Sequence, residues 1–202
     1  GGRERYMMIG LTGPSGAGKS TVAALFREAG YRIIDCDGLV HGLDRNSEYI
    51  EKITDAFGGE YVTDGAVDRR KLGTLVFSDK EKLALLNRLI SPIIYEIVMR
   101  EIDKANDAGA DAVLDAPLLF EYGLEAFCDI TVGVIAEPEA AVVRLSARDG
   151  RKEEEIRRRR SSQHENAFFV SRCDIIIENN GDLNALRAAF SDALSQIRRR
   201  ES

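Results

Sequence analysis

The stretch IGLTGPSGAGKSTVAALF, residues 9–26, decides how the rest of the chain is read. It sets Gly13, Gly16, Gly18, Lys19, Ser20 and Thr21 between an apolar run and an amphipathic one. Gly13, Gly18, Lys19 and Ser20 match G-x-x-x-x-G-K-[ST] in full, after a strand and at the opening of a helix, where that pattern works. Glycines there let successive backbone N–H groups converge on phosphate oxygens, and the helix amino terminus adds a partial positive charge. Lys19 reaches the outer phosphates and Ser20 offers its hydroxyl to Mg²⁺. Gly13, Ser15, Gly16, Ala17, Gly18, Lys19, Ser20 and Thr21 are therefore the expected contacts of a nucleoside triphosphate. The alternative is a glycine-rich turn that happens to hold a lysine. The loop alone does not say what is done with the nucleotide.

The 202 residues suit a single domain with a real core, and residues 1–202 are read as one unit. Hydrophobic residues are 44%, charged residues 31% and prolines four, the profile of an ordinary globular protein. A net charge of −6 argues against a polyanion binder, so any basic site is local and no nucleic-acid partner is expected. Cys36, Cys128 and Cys173 are widely spaced and lack CxxC pairing, which indicates neither a zinc site nor a disulfide framework and suggests a reducing, cytoplasmic location. Residues 1–8, GGRERYMM, read as an appended or unstructured leader too short and polar for a signal peptide. No apolar run approaches the roughly 20 residues of a membrane helix, so no membrane partner is expected. No helix face shows a clear apolar stripe without a partner, which leaves a monomer or a small homo-oligomer.

Five brief apolar runs read as strands: residues 7–12, 31–35, 110–116, 128–135 and 173–179. Helical patterns separate them, over 20–30, over 79–108 with an interruption at Pro92, and over 182–200. Such alternation predicts an α/β fold, a five-stranded parallel sheet flanked by helices around the phosphate loop. Residues 37–108 hold several helical patterns and no convincing strand, and read as a helical insertion beside the sheet. The charged stretch 144–170 fits no simple alternation and reads as a second excursion.

The carboxylates narrow the chemistry. Asp35 and Asp37 lie at and just past the end of the second predicted strand, facing the crevice where ligands of parallel sheets bind. A phosphoryl-transfer enzyme needs a carboxylate to orient the acceptor hydroxyl and take its proton, and Asp37 is the candidate, capping of the next helix being the alternative. Asp115 ends the run AVLD, where it either meets Mg²⁺ through water or orders a loop. Arg144 and Arg148 stand at i and i+4 near a helix end, where guanidinium groups can face the nucleotide and stabilise charge on the transferred group. Glu153 to Glu155 precede Arg157 to Arg159 by four, the spacing of a solvated helix face. His41 and His164 have no partner at metal-ligand spacing. No N-K-x-D pattern follows the loop, which counts against a GTPase switch.

These residues together resemble the dephospho-coenzyme A kinase family. The likeness runs in order through IGLTGPSGAGKSTVA, IIDCD (33–37), FGGEYVTDGAVDRRKLGTLVF (57–77), DAPLLFE (115–121), RLSARDG (144–150), the glutamine of SSQ (161–163) and CDIIIENNG (173–181). It implies a P-loop kinase that moves the γ-phosphoryl group of ATP, with Mg²⁺, onto the ribose 3′-hydroxyl of dephospho-CoA. The resemblance puts the acceptor-side aspartate on Asp37, the catalytic arginine on Arg144 and a neighbouring lid arginine on Arg148. It matches an acceptor-pocket D-R pair to Asp68 and Arg69 and a further lining to Pro117, Leu118 and Glu121. It also implies that 37–108 is the CoA-binding insertion and 144–170 an arginine-bearing lid. Three departures stand out: Pro14, Ser15 and Gly16 inside the loop, Ser91 before Pro92 where the family carries histidine, and a dense arginine run in the lid. A nucleotide kinase of the same build, a weakly active CoA or nucleotide sensor, and a nucleic-acid-associated ATPase are the rival readings.

Overall fold

A computed structural model describes residues 6–161 and 163–201. Residues 1–5 of the expected leader, Ser162 of the stretch expected to form a lid, and Ser202 lie outside this range. The core is a five-stranded parallel sheet made by β1 (Met8–Thr12), β2 (Arg32–Asp35), β5 (Ala112–Asp115), β6 (Ile130–Ile135) and β7 (Ile175–Glu178), in the order β2-β5-β1-β6-β7. The chain leaves β1 toward β2 on one side and, after β5, crosses β1 to lay β6 and β7 on the other. The order thus reverses at the carboxyl end of β1, where ligands of open α/β sheets bind.

Alternating side chains on each strand feed two cores. Ile9, Leu11 and Val113 face α1 (Lys19–Glu28) and α9 (Leu183–Arg200), meeting Val22, Phe26, Phe190 and Ile197. Phe26 anchors this layer, edge-on to both Tyr31 and Phe190. Met8, Ala112 and Leu114 face the other layer, built largely by the insertion: α2 (Cys36–His41), α3 (Ser47–Phe57), α4 (Arg69–Phe77) and α5 (Lys80–Asp107). Gly10 faces this layer because a Cβ there would lie 2.8 Å from Cys128 Sγ. Beyond β6 come α6 (Pro138–Asp149), α7 (Glu153–Arg160) and α8 (Asn166–Arg172). Ile156 of α7 is buried with Val142 and Leu145 of α6, the apolar anchor of the arginine-bearing segment.

Two expectations need correction. The insertion contains a minimal hairpin, β3 (Val62–Thr63) and β4 (Ala66–Val67), turned at Asp64-Gly65 with both residues at positive φ. Asp-Gly between short apolar pairs favours that turn, but two-residue strands leave no periodicity to read. The helix at 79–108 does not stop at Pro92 either, since α5 runs through it for 28 residues. An interior proline costs about 3 kcal/mol. Ile90, Ile93 and Ile94 are all buried beside it, and each contributes roughly 1.5–3 kcal/mol when buried. Packing outweighs the missing N–H. No helix among the described residues is long and apolar enough to cross a membrane.

Candidate active site

The loop after β1 is held by close approach on every side. A Cβ on Gly13 would fall 2.2 Å from the Val134 carbonyl oxygen, so only glycine lets the loop leave the sheet against β6. Gly18 sits at φ +97° and faces Asn179, the buried residue just past β7. Asn179 Nδ2 donates to the Ala17 carbonyl at 2.9 Å, and its N–H donates to the Ile135 carbonyl at 2.8 Å. Arg144 of α6 donates to the carbonyls of Gly16 at 3.3 Å and Asn179 at 2.9 Å. Helices α2, α3, α4, α5 and α9 begin with a side-chain cap; α1, like α6, α7 and α8, has none, and it alone of these begins at a left-handed glycine, Gly18. The Thr21 N–H turns back to the Gly18 carbonyl at 3.1 Å, and the amides of Lys19 and Ser20 ahead of it are placed for a ligand, the usual arrangement for a phosphate. Ser20 and Thr21 are exposed at that terminus, and Ala17 is buried beneath it.

Lys19 forms an ion pair with Asp115. Parallel pairing explains how they meet: Asp115 stands opposite Leu11 of β1 and opposite Asp35 of β2, so two carboxylates end adjacent strands beside the loop. Asp35 is the cap of α2, accepting from the Gly38 N–H at 3.2 Å. Capping is therefore not the work of Asp37, which stands in the first turn of α2 with access to solvent. Burial by the surrounding protein raises the Asp37 pKa, Asp35 and Asp115 raise it further, and Lys19 and His41 oppose them. Its own burial, with the neighbouring carboxylates adding to it, pushes the Cys36 thiol up to about 12. Cys36 is a neutral packing residue, not a nucleophile.

On the insertion side, Arg69 donates through Nε to Asp44 at 2.6 Å and through Nη2 to the Val40 carbonyl at 2.6 Å, tying α4 to the end of α2. Asp68 caps α4 through the Lys71 N–H at 3.0 Å. Thr12, fully buried, donates to the Pro117 carbonyl at 3.3 Å and fixes the start of the 117–121 segment to the end of β1. Leu118 is partly exposed there, and Glu121 meets His164 Nε2 at 3.0 Å. His164 stacks on Phe168 with ring centres 3.6 Å apart. Ser91 turns its hydroxyl inward, donating to the Asn87 carbonyl at 2.7 Å.

A family model described as dephospho-CoA kinase matches residues 7–185. The chain belongs to the dephospho-CoA kinase family. It is 37% identical over 194 residues to the dephospho-CoA kinase of Corynebacterium glutamicum, covering 95% of this chain and 97% of that one. Against the dephospho-CoA kinase of Arabidopsis thaliana the identity is 38% over 195 residues, covering 95% of this chain and 84% of the relative. A crystal structure of TT1252 from Thermus thermophilus superposes with a TM-score of 0.80 at 37% identity, covering 96% of this chain and 98% of that one.

Among the residues singled out in the sequence, the fold of this family member gathers Gly13, Ser15, Gly16, Ala17, Gly18, Lys19, Ser20, Thr21, Asp37, Asp115 and Arg144 around the mouth of β1. Arg148 makes its contacts elsewhere, with both oxygens of Asp149 at 2.7 and 3.2 Å. Three neighbours of the loop were not read as site residues. Asn179 carried no chemical signature beyond its place after a strand. Gln163 donates to Ser15 Oγ at 3.0 Å and accepts from the Ser15 N–H at 3.4 Å. Arg160, the last of the arginine run, donates to the Ser15 carbonyl. The helical period holds the signal: Arg157 pairs with Glu139 and Glu153, while Arg160, three residues on, has no glutamate four residues before it. The donor set also bears on Mg²⁺. No group of three histidine, cysteine or carboxylate ligands occurs among the described residues, but Ser20, exposed at the start of α1, and Asp115, at the end of β5, are oxygen donors that suit an ion keeping its waters and taking phosphate oxygens.

Proposed function

We propose that this chain transfers the γ-phosphoryl group of ATP to the ribose 3′-hydroxyl of dephospho-CoA, giving coenzyme A. The observation that carries the reading is the meeting of Lys19, Asp37, Asp115 and Arg144 at one loop mouth, in a chain of this family.

Lys19 and the amides of the loop and of the first turn of α1 bind the β- and γ-phosphates. Lys19 is already oriented by Asp115 and exchanges that partner, in part, for phosphate oxygens. Arg144, fixed from behind by two carbonyls, offers its remaining N–H groups to the charge that grows on the transferred group. Asp37 accepts the hydrogen bond of the acceptor hydroxyl and takes its proton as the new O–P bond forms. Its raised pKa makes it a better base than an ordinary carboxylate. Ser20, and Asp115 through water, would hold Mg²⁺, whose charge would help neutralise the phosphates. Arg69, Pro117, Leu118 and Glu121 line the acceptor side, and residues 37–108 form the acceptor-binding insertion. Residues 144–170 act as a lid that excludes water, since an open site would spend ATP on hydrolysis.

The test is ADP production from Mg²⁺ and ATP with and without dephospho-CoA, following the acceptor by mass. Acceptor-dependent ADP matched one for one by a product heavier by one phosphate is the expected result. ADP formed regardless of acceptor, or preference for adenosine or AMP over the pantetheine-bearing acceptor, overturns the assignment.

A further inference from the structure

The arginines of the lid segment divide by what they face. Arg148 donates to Asp149, Arg151 to Glu155, and Arg157 to Glu139 and Glu153. These charges are matched and largely in solvent, with side chains 66%, 47% and 46% exposed. Arg160 differs on both counts. It is half-buried, and its partner is a neutral oxygen, the Ser15 carbonyl at the tip of the phosphate loop. No carboxylate pairs with it among the described residues. Burial also lowers its pKa, as expected of a cation short of compensation.

Gln163 meets the same loop residue at its N–H and its hydroxyl, so two lid side chains hold Ser15 at three atoms. Ile156, buried against Val142 and Leu145, fixes the other end of α7. The guanidinium is thus stationed over the loop by apolar packing and by Gln163, not by an ion pair. Arg160 and Gln163 also line a cleft of about 430 Å³ between α6 and the lid, which leaves the side chain room to move without unpacking Ile156. A partly desolvated cation facing one neutral acceptor is costly until an anion completes it. The anion this loop is built to hold is a polyphosphate.

We propose that Arg160 is a second phosphate-binding cation of the lid, beside Arg144. It leaves the Ser15 carbonyl for the nucleotide's phosphates when ATP binds, while Gln163 keeps the lid in register on the loop. This rests on reading the loop as a triphosphate site, and deepens that reading by assigning a residue that favours the higher-charged nucleotide.

Titration calorimetry with a non-hydrolysable ATP analogue, without acceptor, separates the possibilities for wild type, R160M, R160K and Q163A across a KCl series. R160M is expected to weaken binding about tenfold or more and R160K to recover part of it, while Q163A, which removes the clasp and no charge, loses less. Added salt screens one fewer charge contact in R160M, so its affinity falls less steeply with KCl than that of wild type. Unchanged affinity in R160M overturns the proposal, as does a loss equal to that in Q163A with the wild-type salt slope. Should R160M melt early, R160Q is read in its place: weaker binding with a shallower salt slope than wild type supports the role, whereas wild-type affinity ends it. If wild type binds the analogue through Arg160 yet does not phosphorylate dephospho-CoA, the acceptor assignment fails and this one stands.

Discussion

Gly18→Ala tests the loop at its tightest point. Gly18 lies at φ +97°, and a Cβ there would stand 2.3 Å from Asn179 Nδ2. The left-handed conformation costs a residue with a side chain about 1–2 kcal/mol. The clash adds to this, because Asn179 is buried and cannot swing into solvent. Displacing its amide breaks the 2.9 Å bond to the Ala17 carbonyl, and a buried polar group left without its partner costs about 1–3 kcal/mol. Together the losses come to roughly 2–5 kcal/mol. That is a large part of the 5–15 kcal/mol typical of a domain, and at about 2–4 °C per kcal/mol it lowers the melting temperature by roughly 4–20 °C. Nucleotide affinity falls with it, since the Asn179 carbonyl also holds Arg144. Urea denaturation and nucleotide titration measure the two effects. In G18A/N179A the clash is gone and only the strain and the lost amide remain, so the double variant is more stable than the sum of the singles requires. A G18A protein melting within about 1 °C of wild type, or strict additivity in the cycle, would refute the reasoning.

Asp37→Asn is expected to lower kcat by about 10²–10⁴ while changing the KM for ATP little, because it removes the proton acceptor and leaves the phosphate loop intact. The wild-type acid limb lies above the usual carboxylate range, activity rising with pH as Asp37 ionises, and D37N loses that limb; equal losses in turnover and ATP affinity would make Asp37 structural. The same raised pKa means the fold favours the protonated carboxyl, so the stability Asp37 contributes is present at low pH and lost as pH rises through its folded pKa. D37N should therefore melt above wild type at neutral pH, the gap closing in acid, and thermal melts across that range check the sign. Pro92→Ala restores an N–H for the Arg88 carbonyl in exposed α5 surface and should stabilise by about 1–3 kcal/mol; a lower melting temperature would show that the proline's bend is needed to seat Ile93 and Ile94.

Much of the fold was legible because its signals are local. Five apolar runs of strand length alternate with helical patterns, and each became a strand of the parallel sheet. The insertion's helices were legible as patterns, but not α5's continuity, because a proline reads as a stop until the burial of Ile90, Ile93 and Ile94 is known. On the loop, residue type and spacing named Gly13 through Thr21. Asp35 and Asp37 could not be separated by spacing, since either can cap α2, and the 3.2 Å bond from Gly38 to Asp35 assigns the cap. Asn179 and Gln163 escaped for a different reason. Their contacts span 162 and 148 residues of sequence, and an amide side chain announces no chemistry until its partner is in view.

Strand order then sorts the charges in a way no motif could. With β1 in the middle, β5 and β2 bring Asp115 and Asp35 to one side of the loop, and α2 adds Asp37. On the other side β6 and β7 lead into Arg144, Asn179 and the lid that carries Arg160. Lys19 stands between them, at the start of α1, paired with Asp115. Under the proposed function, polyphosphate is drawn to the cationic half and away from Asp35 and Asp37, so the donor's register is set before the acceptor arrives. An acceptor hydroxyl, being neutral, meets no such barrier on the β2 side and is the group that a raised-pKa carboxylate there can use. Polarity of this kind favours transfer to an alcohol over a second anionic phosphate. It follows from a crossover order fixed by helix and strand packing, with the reacting side chains placed at the ends of elements whose interiors hold them still.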